Sequence, residues 1–415
     1  MSKTVHIIGS GFSGLTLAWE LRRRGFDVHI YDQSDRTGGL IQSVRTPTHL
    51  REFAANGVMW NERLQNLSDE LGLEFFPTQD AARKRFIFRR KELHRWPLLP
   101  TETFDFIAKL SKFIFHTKIR KDLAMKPQPF ESIEHWCERN ASQAIHEYLI
   151  KPVLQGIYAG DTSKMSASVV VKALGGSRGT YAPKNGMGAL IQSLERNLLK
   201  KGVRFSMNSK METRELAEMI PAGTPLVIAT SAWSAAEILK ERASQVAKAL
   251  TKIQAVPLVS ATLVWNERAE KVPGFGCLFP PAEKMNSLGV LANTNIFSDR
   301  GPSYSETWIL GGALKQTICG FTDDELLANI FEDRKRMLGS TEKPTEFFIQ
   351  RYDKALPHYD IELEKVLENL SLPEDLFLTG NYLGKLGLAK IYDQNIELAE
   401  KIAMKYAKKQ GSEND

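Results

Sequence analysis

The chain has 415 residues, 42% of them hydrophobic and 25% charged, which is enough to bury a core in two or three structural units. Its formal net charge of +6, from 55 basic and 49 acidic residues, is too small and too dispersed to indicate a nucleic-acid-binding protein. Three cysteines without CxxC spacing, and histidines without an HExxH pattern, predict neither a disulfide framework nor a metal site.

The first elements predict a dinucleotide-binding unit. Residues 5–8 form an apolar, largely β-branched run typical of a buried parallel strand, and a glycine-rich turn follows. Gly9 allows the tight turn, Gly11 lets the backbone approach a pyrophosphate, and Gly14 lets the next helix pack on the strand, with its N-terminal N–H groups facing the phosphates. The turn supplies five cofactor positions: Gly9, Gly11, Phe12, Ser13 and Gly14.

A second strand over residues 27–31 ends at Asp32, whose carboxylate can accept hydrogen bonds from an adenosine ribose. The segment from Asp32 through Arg36 to Gly38 and Gly39 resembles the extension found in FAD-binding oxidoreductases of the amine-oxidase superfamily. The resemblance implies that Arg36 and the backbone of the glycine pair lie beside the FAD phosphates and ribityl chain. The alternative is a solvated, charged turn.

Further along, the pattern predicts a helix over residues 61–71, a basic hairpin over 83–96 and a helix over 104–121, with helical character continuing to residue 150. One face of the 104–121 helix is apolar and basic residues surround it: the apolar residues are Phe106, Ile107, Leu110, Phe113 and Ile114. Such a face can lie on a membrane or pack on its own domain. With no signal peptide and no apolar stretch of about 18 residues, we expect a cytoplasmic protein, either free or peripheral on the inner face of the membrane.

Four later segments, in order along nearly the whole chain, resemble the protoporphyrinogen oxidase family. They cover residues 152–166, 274–297, 351–359 and 380–384. The resemblance implies an α/β fold in which a Rossmann-type doubly wound FAD domain is interleaved with an antiparallel-sheet substrate domain and a helical insertion. The implied ranges are 1–75, 188–245 and 372–415 for the FAD domain, 76–97, 157–187 and 246–371 for the substrate domain, and 98–156 for the insertion, which touches membrane in many relatives.

The returning segments of the FAD domain carry further expected cofactor positions. Strands are predicted at residues 202–205, 226–230 and 376–380, and a last amphipathic helix opens after Gly387, where its N-terminal dipole can face the flavin. The expected positions are Val203, Ala229, Thr230, Gly380, Asn381, Leu388 and Ala389. No cysteine lies in the last segment, so we expect FAD to be bound non-covalently. Lys385 either lies near the isoalloxazine or is a surface lysine.

Carried over by position, the family's ring contacts for a flat tetrapyrrole fall on Phe275, Gly276, Leu278, Phe297 and Ile309. Plain core packing is the alternative at each. The implied reaction removes six electrons and six protons from protoporphyrinogen IX in haem biosynthesis, passing hydride to flavin N5 and then to oxygen or another acceptor. Because the cofactor carries the redox chemistry, we assign no catalytic residue. Residues 156–161 are expected to shape the substrate cavity.

Two departures from the family leave the substrate open. Some relatives have an arginine after the hairpin that holds a propionate, whereas this chain has residues 98–101 without a charge at that place, leaving Arg95 as the candidate. Residues 52–57 stand where the family commonly has an acid followed by glycine. Alternatives are a coproporphyrinogen III oxidase, an amine oxidase or a carotenoid-type desaturase, and a non-catalytic flavin-binding or membrane-docked protein. A homo-oligomer is also compatible with the sequence.

Overall fold

The structure, a computed structural model, describes residues 4–115, 126–173, 179–211, 216 and 218–411. The strands are β1 Thr4–Ile8, β2 Asp27–Tyr31, β3 Ser43–Arg45, β4 Leu50–Glu52, β5 Val58–Met59, β6 Phe75–Pro77, β7 Phe86–Arg89, β8 Glu92–His94, β9 Thr180–Pro183, β10 Arg204–Ser206, β11 Leu226–Ile228, β12 Ala255–Trp265, β13 Gly276–Leu278, β14 Ser287–Ala292, β15 Tyr304–Gly311, β16 Glu346–Pro357 and β17 Leu376–Leu378. The α-helices are α1 Phe12–Arg23, α2 Glu62–Leu71, α3 Pro100–Ile114, α4 Ile133–Asn140, α5 Gln143–Ile145, α6 Lys151–Tyr158, α7 Ala167–Ala173, α8 Gly188–Lys200, α9 Ala232–Ile238, α10 Ser244–Leu250, α11 Asn293–Ile296, α12 Asp323–Leu338, α13 Ile361–Asn369 and α14 Leu388–Gly411.

Five strands form a parallel sheet in the order β10-β2-β1-β11-β17. On one face Val5 and Ile30 pack against helices α1, α2, α8 and α14, because alternate residues of a strand point to opposite sides. On the other face Ile8 and Ile228 pack against α9 and α10. Helices therefore cover both faces, and the predicted doubly wound α/β arrangement is confirmed.

A second sheet has seven strands in the order β16-β12-β15-β14-β13-β7-β8. Its neighbouring strands are antiparallel, apart from the parallel pair of β13 with β7. One face is buried against α12, where Val290 and Trp308 of the sheet share a core with Leu326 and Ile330 of the helix. We call the opposite side the open face; α6 contacts it at β13 and β14, and half-buried residues such as Ile309 lie on it.

The predicted basic hairpin is present as β7 and β8. Arg89 pairs with Glu92, and the two residues between them, Arg90 and Lys91, have φ angles of 55° and 64°. A two-residue turn with both φ angles positive follows the right-handed twist of the flanking strands. The short connection fixes the register of an edge strand.

The helical insertion is more interrupted than predicted. The expected helix over 104–121 begins earlier, at Pro100, its first described run ends at Ile114, and residues 116–121 lie outside the described ranges. Helical character continues to residue 150 as predicted, but residues 126–132 interrupt it; they are not helical and contain Pro127 and Pro129, which cannot continue a helix. Helix α4 restarts at Ser132, whose side chain caps it. Within the described ranges, no helix has the length and apolar character needed to cross a bilayer.

Candidate active site

The glycine-rich turn lies at the carboxyl end of β1, where parallel α/β sheets bind ligands. Gly9 has a φ of 108°, and a side-chain Cβ there would stand 2.9 Å from the carbonyl carbon of Ala229. A Cβ at Gly14 would stand only 1.9 Å from the carbonyl oxygen of Gly9, so the helix packs directly on the turn. A Cβ at Gly11 would meet no heavy atom within 4 Å, which leaves open space beside its backbone.

The two glycine motifs come together in space. The N–H of Gly38 donates to the carbonyl oxygen of Ser10 at 2.8 Å, and a Cβ at Gly39 would stand 3.4 Å from the Cα of Gly11. The guanidinium of Arg36 folds over this loop and donates to the carbonyl oxygen of Gly39 at 2.8 Å. An exposed cation and two glycine backbones thus border the space above Gly11, which suits a pyrophosphate.

Asp32 follows β2 on the same edge of the sheet. Its carboxylate accepts hydrogen bonds from the N–H and hydroxyl of Ser10, at 2.6 and 2.7 Å, and from the N–H of Ser34 at 2.9 Å. The acid is therefore part of the glycine turn and remains solvent-facing. Phe12 is buried in the core and Ser13 is half-buried, so these two residues offer the helix N-terminus rather than side-chain contacts.

The expected positions on β11 and β17 meet beside this loop. The N–H of Ala229 donates to the carbonyl oxygen of Ile8 at 2.7 Å, and the methyl group of Thr230 packs against Gly9. Gly380 has a φ of 149° and lies near the carbonyl oxygen of Thr230. Asn381 accepts a hydrogen bond from the hydroxyl of Tyr359 through its carbonyl oxygen. Leu388 and Ala389 begin α14 and pack in the core of this unit.

Val203 is not with the other expected cofactor residues. It precedes β10 and is buried in the core, at the amino end of the strand. The carboxyl end of β10 lies two to three residues later, where the carbonyl oxygen of Ser206 accepts from the N–H of Asp32 at 3.0 Å and the N–H of Ser209 donates to the carbonyl oxygen of Asp32 at 2.8 Å. Met207, which is half-buried, is the first residue after the strand and lies between these two contacts in the sequence.

On the open face of the seven-stranded sheet, the register aligns several residues in one row across the strands. Leu278 pairs with Gly289, Gly289 with Ile309, and Ile309 with Ser260. At the other end of this row, Leu278 pairs with Ile87 of the hairpin. We call these five residues the transverse row. Gly276, two positions from Leu278 and hence on the same face, has a φ of 140°.

The remaining expected substrate residues lie around this row. Phe275 comes just before β13, and the exposed guanidinium of Arg85 stacks over its ring with 4.6 Å from Cζ to the centroid. Phe297 is buried in the core, with Arg300 4.8 Å from its ring. Arg95 is exposed and follows His94, the partner of Ile87 across the hairpin. Arg85, which sequence reasoning missed, thus places a cation directly against an expected ring contact.

Residues 156–161 border the transverse row. A Cβ at Gly156 would stand 2.6 Å from a methyl carbon of Leu278, so only glycine leaves that side chain in place. Ala159 accepts a hydrogen bond from the N–H of Ala313 at 2.8 Å, and the N–H of Asp161 donates to Nε2 of His358 at 3.1 Å. The segment is therefore fixed to the loops that follow β15 and β16.

Residues 54–57 also belong to the candidate site, and in the sequence they are noticeable only because residues 52–57 differ from the family pattern. Phe53 donates its N–H to Gln42 in the loop after the second glycine pair, at 3.0 Å, and accepts from the hydroxyl of Tyr352 on β16, at 2.7 Å. The next four N–H groups have no acceptor among the described residues. They lie between the nucleotide loop and the second sheet. A signal for them was available in the run of small residues after Glu52.

Lys385 is exposed and lines a cleft with Glu364 and Glu368 of α13. Glu364 is itself buried and accepts hydrogen bonds from the hydroxyls of Ser166 and Ser168. The lysine thus has a surface position next to the loop that begins at Gly380. This placement neither reaches the transverse row nor supplies a buried base.

These features fit an FAD molecule in outline. Open space beside Gly11 and a helix N-terminus suit its pyrophosphate, Asp32 suits the adenosine ribose, and the N–H groups of residues 54–57, which have no acceptor among the described residues, suit a ring system rich in acceptors. The extended nucleotide site runs from the carboxyl edge of the parallel sheet toward the open face of the second sheet. Such an arrangement can place a redox ring against a flat apolar substrate.

Comparison with known proteins gives a match over most of the chain. A family model described as flavin containing amine oxidoreductase matches residues 12–384. Among curated proteins, protoporphyrinogen oxidase 2 of Arabidopsis thaliana is 26% identical over 474 residues, covering 94% of this chain and 91% of the relative. Human protoporphyrinogen oxidase is 24% identical over 440 residues, covering 89% and 91%.

Among solved structures, a protoporphyrinogen oxidase candidate from Exiguobacterium sp. 255-15 superposes with a TM-score of 0.76. The two chains are 17% identical, and the alignment covers 97% of this chain and 99% of the other. At this identity the likeness concerns the fold.

Proposed function

The chain belongs to the flavin-containing amine oxidoreductase family and is an FAD-dependent oxidoreductase, as the sequence predicted, and from this premise we propose that it oxidises a porphyrinogen. The proposed substrate is protoporphyrinogen IX and the product protoporphyrin IX, with oxygen or another acceptor reoxidising the cofactor. The names of the Arabidopsis and human relatives support this choice.

The observation that carries the proposal is the transverse row. Leu278 and Ile309 are half-buried apolar residues of neighbouring strands, and they lie on either side of the buried Gly289 on the same face of the sheet. Gly156 keeps the facing helix α6 close to Leu278. Apolar side chains spread across several strands support contact with a broad tetrapyrrole ring better than with a narrow alkyl chain.

FAD, when bound, would supply the hydride acceptor for the reaction. The chain's own residues have positioning roles in this proposal: the row holds one face of the ring, and residues 54–57 donate hydrogen bonds to the cofactor. Apolar side chains around the ring exclude water, which strengthens the polar contacts that remain. No side chain has to act as a general base, and we assign none.

Two exposed arginines support a carboxylate-bearing substrate. Arg85 stacks on Phe275, and no ion pair involving it is found among the described residues; Arg95 follows the end of the row. We propose that these cations hold propionate groups at the ring edge, since guanidinium binds carboxylate in a bidentate manner. Arg89, in contrast, is buried and bound at 2.6 and 2.9 Å by the two carboxylate oxygens of Glu102, so it is not free for a substrate.

We also propose that the insertion, residues 98–156, contacts a membrane surface. Helix α3 has no buried residue, and Phe104 and Ile107 are 77% and 55% exposed. The predicted apolar face divides in two: Phe106 and Phe113 are half-buried against Trp96 and Trp136, whereas Ile107, Leu110 and Ile114 remain exposed. The exposed strip supports an interfacial helix. The proposed domain ranges remain those given from the sequence, with residues 98–156 as the membrane-contacting part.

The decisive experiment is anaerobic mixing of the FAD-loaded protein with protoporphyrinogen IX and, separately, with coproporphyrinogen III. Loss of the flavin absorbance at about 450 nm with appearance of porphyrin fluorescence supports the proposal and identifies the substrate. Reduction by a primary amine, with neither porphyrinogen reacting, would assign the protein to amine oxidation instead.

A further inference from the structure

Glu52, the last residue of β4, is a buried carboxylate with a full set of hydrogen bonds. Oε1 accepts from a guanidinium nitrogen of Arg300 at 3.0 Å and from the N–H of Met187 at 2.8 Å, and Oε2 accepts from the hydroxyl of Ser43 at 2.5 Å. The same hydroxyl accepts from the N–H of Gly188 at 2.7 Å. One carboxylate therefore joins the β3–β4 hairpin, the start of α8 and the loop after α11.

The two side chains of this ion pair are 1% and 2% exposed. Removing two charges from water is strongly unfavourable, and a buried pair persists only where hydrogen bonds satisfy its remaining atoms. Apolar residues of similar volume would stabilise the fold at least as well as this buried ion pair does. Its geometry suggests a task that an apolar pair could not perform.

The guanidinium of Arg300 also binds a second partner. Its other terminal nitrogen donates to the carbonyl oxygen of Asn56 at 2.8 Å. With Tyr352 bound to the carbonyl oxygen of Phe53, side chains from the second sheet and its loops hold both ends of the segment that includes residues 54–57. The carbonyl oxygens of Phe53 and Asn56 are fixed, while the N–H groups of residues 54–57 have no hydrogen-bond acceptor among the described residues.

We propose that Glu52 and Arg300 are positioning residues of the flavin site: Glu52 orients Arg300, Arg300 fixes the carbonyl of Asn56, and the N–H groups of residues 54–57 are thereby aimed at the acceptor-rich edge of the isoalloxazine ring. This inference rests on the proposed extension of the FAD site along that segment. Donors preorganised beside the ring favour its reduced state, which carries more negative charge at that edge.

A second buried ion pair, Glu306 with Arg334, can serve as a control for the first. Glu306 and Arg334 lie 3.4 Å apart, with 0% and 1% of their side chains exposed. They lie in the core between the second sheet and α12, where Arg334 stacks 3.7 Å from the ring centroid of Trp265 and Glu306 accepts from Trp308. The comparison pair is equally buried but contacts none of the segments assigned to the cofactor.

The test uses the FAD-loaded protein and four conservative variants: E52Q, R300K, E306Q and R334K. The measurements are the visible spectrum of the bound flavin, its midpoint potential, the rate of flavin reduction and the melting temperature. R300K is the sharpest variant, because a lysine can keep the charge beside Glu52 but cannot also reach Asn56.

We expect E52Q and R300K to shift the flavin absorbance maxima, lower the midpoint potential and slow flavin reduction by about tenfold. E306Q and R334K should lower the melting temperature and leave the flavin spectrum and potential at wild-type values. Should all four variants lower the melting temperature while flavin spectra and potentials stay unchanged, both pairs are structural and the inference is wrong.

If E52Q or R300K fails to fold, S43A supplies the same test with a smaller loss of stability, since it removes one hydrogen bond to Glu52 and leaves the ion pair in place. A smaller shift of the flavin spectrum in the same direction supports the inference, and an unchanged spectrum contradicts it. The potential can be measured with dithionite and reference dyes, without a porphyrinogen. A wild-type protein that binds FAD but oxidises no porphyrinogen would overturn the proposed reaction and leave this test intact.

Discussion

The side-chain amide of Asn395 donates a hydrogen bond to the carbonyl oxygen of Ser13 at 2.8 Å. Asn395 belongs to α14, and its amide also accepts from the hydroxyl of Thr379, just after β17, while donating to the hydroxyl of Thr16 at 2.8 Å. The glycine turn is therefore supported from behind by the last helix. Protein contacts on its rear side therefore help to set its shape.

Gly11 and Gly14 should respond differently to substitution. Gly11→Val places its side chain in open space, so we expect the apoprotein to keep its melting temperature but to bind no FAD, because the side chain occupies the pyrophosphate position. Gly14→Ala drives a Cβ into the carbonyl of Gly9 and should cost at least about 2 kcal/mol of stability. Flavin absorbance after gel filtration and thermal unfolding measure the two effects; full flavin content in Gly11→Val would refute the site.

Ile309 and Leu310 are neighbours on β15 that face opposite sides of the sheet. Ile309→Ala should reduce kcat/KM for the porphyrinogen by about tenfold, because it removes apolar contact from the transverse row. Leu310→Ala, in the core, should lower the free energy of unfolding by about 2–5 kcal/mol. Steady-state kinetics measures the loss of kcat/KM in Ile309→Ala, and urea unfolding measures the loss of stability in Leu310→Ala. Equal kinetic effects after correction for folded fraction would show that the row does not contact substrate.

Acid should destabilise the nucleotide-binding unit through His29. Burial, and secondly the charge of Arg204, lower the pKa of this imidazole from 6.5 to about 4; its ring contacts the hydroxyls of Tyr31 and Ser206, and His6 is also nearby. The unfolded chain therefore binds a proton more strongly, and stability falls as the pH drops from about 6.5 toward 4. His29→Gln should reduce this pH dependence in urea unfolding, whereas His135→Gln, at an exposed site on α4, should not.

Membrane contact by α3 should depend on its outward residues. Replacing Phe104, Ile107 and Ile114 with serine should weaken co-sedimentation with anionic liposomes by at least about tenfold, since each buried CH₂ contributes about 0.8 kcal/mol. A control variant with Leu199→Ser and Met404→Ser removes exposed apolar side chains elsewhere and should bind liposomes normally. If the wild type itself does not co-sediment, α3 does not contact lipid.

Local sequence patterns predicted the nucleotide-binding strands well. β2 was predicted with its observed bounds, and α2 within one residue, because short apolar runs and a capping Asn61 are local signals. Strand β10 begins two residues later than predicted and ends one residue later, since its bounds are defined by its pairing with β2, which lies far away in the sequence.

Long-range contacts were the part that could not be predicted from this sequence. Glu52 and Arg300 are 248 positions apart, and neither residue carries a local pattern that names its partner. The role of Arg85 likewise depends on parallel pairing of β7 with β13, which places it beside Phe275. Motifs identified the chemistry, and the pairing of distant strands decided which side chains meet.

The parallel sheet of the nucleotide-binding unit receives strands from the whole length of the chain, ending with β17, and is backed by α14. Strand β1 leaves the ribosome early, yet the edge strand β17 and the amide of Asn395 are synthesised only after the second sheet is complete. FAD therefore cannot serve as an early template for folding, because its binding surface is unfinished until translation has passed α14. Nascent chains must keep the apolar faces of β1 and β2 out of aggregates throughout that interval.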